Sequence, residues 1–233
     1  MRWLIVVVLA LSQLACATKL GRDGRTETTV NARYLLKTEV DRITDTSRRE
    51  VVAGLLTIAD KLYKRNPREW KQSGAASREA AVQRLRQRVS ADWPELRGQR
   101  ERLAANLAFA EEFAGDRVAA LMFGLLTMVD AAYEHKDDFY VLDSLDETKL
   151  HNAARNMEIA IWKLGHDHRA SGEFFLLSNE LDPGNRNISF EREFGRIIGL
   201  LDFMAQIVAD RNGRTLSRVT QSLATAIFLP VGL

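Results

Sequence analysis

The chain has 233 residues, 46% of them hydrophobic and 27% charged, with a formal net charge of +2 and a single cysteine. That balance excludes a disordered or collagen-like chain and a multi-span membrane protein, and one cysteine excludes a disulfide-stapled scaffold. The length suits a sizeable core, since domains of about 100–200 residues bury most of their apolar surface.

At the start, Met1-Arg2 supplies one positive charge and Trp3 to Leu11 is an unbroken apolar run, followed by Ser12-Gln13-Leu14-Ala15 and then Cys16. A short basic region, a compact apolar stretch and a small residue before the cleavage point describe a secretory signal over 1–15, too short to span a bilayer as a mature helix. With the cysteine directly after that small residue, the segment resembles the lipobox of bacterial lipoproteins, although Gln13 stands where such boxes usually carry an aliphatic residue. The resemblance implies that Cys16 becomes the first residue of the mature chain and carries a diacylglycerol and an N-acyl chain, with no other cofactor. Ala17 in the second mature position implies sorting to the outer membrane, facing the periplasm. The other readings are an uncleaved anchor, or a cleaved signal with a bystander cysteine.

Residues 16–30 read as the lipidated end and a flexible tether, because Ala17 to Thr29 mixes two glycines with charges of both signs and has no apolar period. Extended, those residues reach at most about 45 Å. From Asn31 the apolar residues recur at helical spacing, and residues 31–233 are expected to form one all-α domain, an array or bundle of antiparallel helical hairpins with about eight helices. A first helix spans Asn31 to Arg42. Ser47 and Glu50 have the spacing of a capping box before a second helix, which ends at Asn66-Pro67. A third covers Arg78 to Val89, and Asp92-Trp93-Pro94-Glu95 starts the next element. Gly115-Asp116 then divides a helix over Gln99–Ala114 from one over Arg117–Glu134. Val118 to Val129 is apolar nearly all round and marks the central buried helix. Ser144 and Glu147 form a second capping box ahead of an apolar stripe from Leu150 to Leu164, a similar stripe runs from Phe190 to Val208, and a last helix covers Thr215 to Phe228. The uncharged tail Ala224 to Leu233 is expected to dock into the core, because an exposed apolar tail promotes aggregation.

Between Arg155 and Pro183, the residues Ile159, Trp162, Ser171, Phe175 and Pro183 stand near the spacings of a tetratricopeptide repeat, which this segment resembles. Ile159 occupies a glycine position of that motif and no second clean copy follows at the required period, so the resemblance implies a repeat-like helical hairpin and no more.

Strong catalytic signatures are missing from the chain: there is no G-x-S-x-G, H-E-x-x-H, Walker-type or G-x-G-x-x-G motif. His166 and His168 flank Asp167 and are weak candidates for a divalent metal, whereas a histidine pair at a helix C-terminus also suits a capping turn. The acidic stretch Glu134, Asp137, Asp138, Asp143, Asp146 and Glu147 lacks the alternation of a calcium loop and reads as solvated loop and helix start. Asp130 follows a wholly apolar run, and its burial demands a partner such as an arginine.

Charge is unevenly spread: residues 16–102 carry 20 Lys+Arg against 12 Asp+Glu, a balance of +8, and residues 103–233 carry 12 against 19, a balance of −7. Arg84, Arg86, Arg88, Arg97, Arg100 and Arg102 form the densest basic region, a candidate surface for a partner or an anionic membrane. An envelope address excludes nucleic acid as its target. The sequence therefore points to a lipid-anchored envelope protein, tied to the membrane by its anchor and acting as a non-enzymatic scaffold or accessory factor that binds another envelope protein. The competing class is a carrier or enzyme whose core aromatic and methionine residues, including Phe123, Met128, Trp162, Phe174, Phe175 and Met204, line an apolar pocket. An enclosed cavity favours the second class and an open groove the first.

Overall fold

A computed structural model describes residues 18–20, 26–28, 37–89, 93–180, 186–213 and 227–232. Cys16, the signal segment and nearly all of the last expected helix lie outside those residues, and at the end of that helix residues 227 and 228 are non-helical. The fold is all-α, with seven helices among the described residues: α1 (Glu39–Arg65), α2 (Pro67–Gln72), α3 (Arg78–Arg88), α4 (Glu101–Leu107), α5 (Arg117–Ala132), α6 (Glu147–His166) and α7 (Ser189–Arg211). A short antiparallel pair, β1 (Thr18–Leu20) with β2 (Thr26–Thr28), falls within the stretch read as a tether.

The chain divides into two compact units, Met1–Thr44 with Asp138–Asp143 and Asp45–Asp137 with Ser144–Leu233. Hydropathy gives no sign of this division, because the helical spacing runs unbroken through α1. In the smaller unit, Thr38 and Asp41 cap α1 reciprocally: the Thr38 N–H donates to Asp41 Oδ2 (2.8 Å) and the Asp41 N–H to Thr38 Oγ1 (3.2 Å). Lys37 pairs with Asp138 (2.8 Å) and lies over the Tyr140 ring.

That cap corrects the helix start expected at Ser47. A helix begun at Thr38 meets no proline before Pro67 and crosses only one glycine, Gly54, and propagation is easier than a second nucleation. Ser47 is consequently buried in mid-helix, its hydroxyl 3.0 Å from that of Tyr133, and burial pushes the Tyr133 hydroxyl up to about 12. The second capping box is corrected too. Asp146 is the N-cap of α6, accepting the Thr148 N–H (2.8 Å), while the buried Glu147 accepts from the Asn212 amide (3.0 Å).

The larger unit is built around α5, every residue of which is buried. Asp116 caps it by accepting the Ala119 N–H (2.8 Å), and Glu69 of α2 accepts the Arg117 N–H (2.7 Å). Against α5 packs α4, where a Cβ added at Gly124 would stand 2.5 Å from the Ala105 nitrogen. The two backbones touch there, and the Thr127 hydroxyl accepts the Glu101 N–H (2.8 Å). The helix expected over 99–114 stops at Leu107 because Arg117 gathers the carbonyls that follow: its guanidinium donates to Ala108, Ala110, Glu111 and Phe113. Helix α1 buries Val51, Leu55, Ile58, Ala59, Leu62 and Tyr63, one stripe at helical spacing, and ends at Asn66-Pro67 as expected. Helices α6 and α7 pack on each other, and the C-terminal tail docks with Phe228 and Val231 buried.

Candidate functional site

The basic residues singled out in the sequence do not act alike. Arg84 pairs with Glu95, donates to the Ser73 carbonyl (3.3 Å) and lies over the Trp93 ring, while Arg100 donates to the Val89 carbonyl and lies over Phe123. Both hold the α3–α4 connection together. Arg86, Arg97 and Arg102 are exposed, and Arg88 is the last residue of α3. Of the two histidines, His166 stacks on Trp162 with ring centroids 4.5 Å apart and its Nδ1 2.8 Å from the Trp162 carbonyl oxygen. His168 packs on Phe174. Among the described residues, no group of three or more His, Cys, Asp or Glu is arranged to hold a metal ion.

Asp130 finds the arginine its burial demands. It lies near the C-terminal end of α5, where the helix dipole disfavours a carboxylate, and is met by Arg48 of α1 (3.2 Å) and His135 Nδ1 (2.6 Å). Glu134 and His135 both take positive φ to fold the chain back, so that the His135 N–H reaches the Asp130 carbonyl (2.8 Å). Arg48 also pairs with Asp137 (2.6 Å), and these residues border a cleft of about 540 Å³ floored by Val52, Leu56 and Leu126. Of its three arginines, Arg48 is committed to two carboxylates and ties the end of α5 to α1, while Arg49 and Arg86 also line the cleft.

A larger cleft of about 730 Å³ opens where α6 ends. Helix α6 contributes Glu158, Ile161, Trp162, Leu164 and His166, the non-helical residues that follow contribute Phe174, Leu177, Asn179 and Glu180, and Ile188, Glu191 and Ile198 close the far side. Phe174, Leu177 and Ile188 are 41%, 49% and 48% exposed, so three large apolar side chains share one rim in water. That rim is held in place. The Leu177 N–H donates to Asn66 Oδ1 (2.8 Å) and Asn66 Nδ2 donates to the Leu177 carbonyl (2.9 Å), while Ser178 donates to the Leu164 carbonyl (3.1 Å) and Arg65 pairs with Glu180 (3.2 Å). Asn66 is the residue at which Pro67 ends α1, so the helix break also supplies the clamp for the rim. Burial pushes the Glu158 carboxyl up, opposed by Arg155 at 2.8 Å.

Residues compared above with a tetratricopeptide repeat separate here: Ile159 and Trp162 stand on α6, Ser171 and Phe175 in the non-helical stretch after it, and Pro183 outside the described residues. Two isolated bridges, His168 with Phe174 and Glu180 with Asn187, join residues that follow α6. Of the aromatic and methionine residues proposed to line a pocket, Trp162 and Phe174 reach this cleft, whereas Phe123, Met128 and Met204 are fully buried in the core. Sequence reasoning missed Leu177, Ile188 and Asn66 as members of one site. The available signal was the run Phe174-Phe175-Leu176-Leu177, four apolar residues in a stretch with no helical partner spacing.

No protein-family model, curated protein or solved structure matches this chain.

Proposed function

We propose that the protein is a lipid-anchored component of the bacterial cell envelope, facing the periplasm, that recruits a partner protein by holding one of the partner's apolar segments in the cleft at the end of α6. The observation that carries this reading is the rim of Phe174, Leu177 and Ile188, kept in water, with the Leu177 backbone fixed by Asn66. Large apolar side chains grouped on a rigid surface cost solubility without a partner and gain most when a partner covers them. Inside the cleft the Ser178 hydroxyl and His166 Nδ1 are both engaged by carbonyls of α6, which suits a binding surface. Acyl chains on Cys16 would hold such a surface at the membrane, since each buried methylene contributes about 0.8 kcal/mol.

A carrier of a small apolar ligand is the second reading. The cleft's volume of about 730 Å³ favours it, because small-molecule sites run from about 300 to 1,000 Å³. A photoreactive residue placed at Leu177 separates the two in the native host, with Leu103 on α4, 56% exposed, as the control. Recruitment predicts one protein adduct from position 177 and none from 103. Lipid or small-molecule adducts at 177, with no protein adduct, would establish the carrier instead.

A further inference from the structure

The cleft at the end of α6 is charged as well as apolar. Three carboxylates, Glu158, Glu180 and Glu191, line it against one guanidinium, that of Arg65. The C-terminal turn of α6 opens on the same cleft through Leu164, Gly165 and His166, and the dipole of that helix adds negative potential at its C-terminal end. Two of the carboxylates have cationic neighbours already, Glu180 with Arg65 (3.2 Å) and Glu158 with Arg155 (2.8 Å). Glu191 is exposed and, among the described residues, accepts only the neutral amide of Asn179 (3.0 Å), with no cation paired to it there. Around the apolar rim, the field favours a cation.

We infer that the segment held in this cleft is an amphipathic stretch of a partner protein in which lysine or arginine flanks the apolar anchor. The inference rests on the recruitment reading and adds the partner's chemistry to it. The apolar anchor would cover Leu177, Ile188 and Trp162, and the flanking cation would reach Glu191 and the outer oxygen of Glu180. Complementary charge at such a rim sets orientation and discriminates between partners more than it adds raw affinity.

Two labelled helical peptides with the same leucine and phenylalanine anchor, one flanked by lysines and the other by glutamates, test this against the full chain in nanodiscs of zwitterionic lipid. In low salt the lysine peptide is expected to bind about tenfold more tightly, the size expected from two half-exposed ion pairs of a few-fold each. In Glu180→Gln/Glu191→Gln the ratio should fall toward one, and in Leu177→Ser both peptides should weaken. If Glu180→Gln disturbs the Arg65 contact and with it the fold, Glu191→Gln alone still removes an exposed carboxylate. Equal binding of the two peptides, or a preference for the glutamate peptide, overturns the charge assignment and leaves the cleft reading standing. Failure of both peptides to bind, or binding indifferent to Leu177→Ser, overturns the cleft reading as well.

Discussion

The Asn156 side chain accepts the Leu229 N–H (2.6 Å) and donates to the Leu229 carbonyl (2.9 Å), so one amide on α6 grips both backbone groups of the tail. Asn156 is fully buried, and truncation to alanine leaves two part-buried backbone groups of Leu229 without their partner. Asn156→Ala is expected to cost about 2–3 kcal/mol in urea unfolding and to expose the C-terminal residues to limited proteolysis. A second residue-scale consequence concerns pH. Burial pushes the carboxyls of Glu69 and Asp116 up, against the N–H donors of α5 that pull them down. A carboxyl raised in the folded state favours its protonated form there. Its contribution is therefore full below the unfolded value of about 4 and is lost as pH rises through the folded value. Glu69→Gln, which keeps an acceptor for the Arg117 N–H, should flatten the fall in melting temperature as pH rises above the ordinary carboxylate range, relative to the parent chain. An unchanged slope would remove Glu69 from the explanation. Burial of Asp130 with an arginine was legible from the apolar run before it, whereas the identity of that arginine was not, because Arg48 lies 82 positions away in sequence.

At the scale of elements, Gly124 decides how closely α4 and α5 approach. Alanine is better than glycine in a helix by about 1 kcal/mol, but the added Cβ would stand 2.6 Å from the Glu101 carbonyl oxygen and 2.7 Å from Ala105 Cβ. Forcing two backbones apart costs about 1–3 kcal/mol, occasionally more, so the clash outweighs the propensity and Gly124→Ala should destabilise. Gly199 on α7 is exposed with nothing near its missing Cβ, and Gly199→Ala should stabilise by about 0.5–1 kcal/mol. Chemical denaturation of the pair checks both signs. Helix existence was readable wherever apolar spacing was regular: the buried α5, the stripes of α6 and α7 and the end of α1 at Pro67 all follow from it. Helix starts were less readable, because Thr38 and Asp41 compete with Ser47 and Glu50 for the same capping chemistry and only the surrounding chain chooses between them. The early end of α4 was hidden for a different reason, since it depends on a guanidinium several residues further on.

At the scale of the molecule, the cleft is a product of distant segments. Asn66 and Arg65 stand at the end of α1, Trp162 near the end of α6, Leu177 in the loop and Ile188 before α7, and no local pattern brings them together. The basic run from Arg84 to Arg102, the most conspicuous charged feature of the sequence, instead divides between structural contacts at Arg84 and Arg100 and exposed residues at Arg86, Arg97 and Arg102. The proposed anchor lies in the N-terminal sequence and the proposed binding rim at the end of α6, so the two are separable by mutation. The most direct test is co-purification from native membranes after gentle detergent extraction, comparing the parent chain with Leu177→Ser/Ile188→Ser and with Cys16→Ser. The account predicts a stoichiometric protein partner for the parent chain. It also predicts loss of that partner from the rim variant, which stays in the membrane fraction, and release of Cys16→Ser from the membrane. A partner retained by the rim variant, or a parent chain that purifies alone with bound lipid, would contradict it.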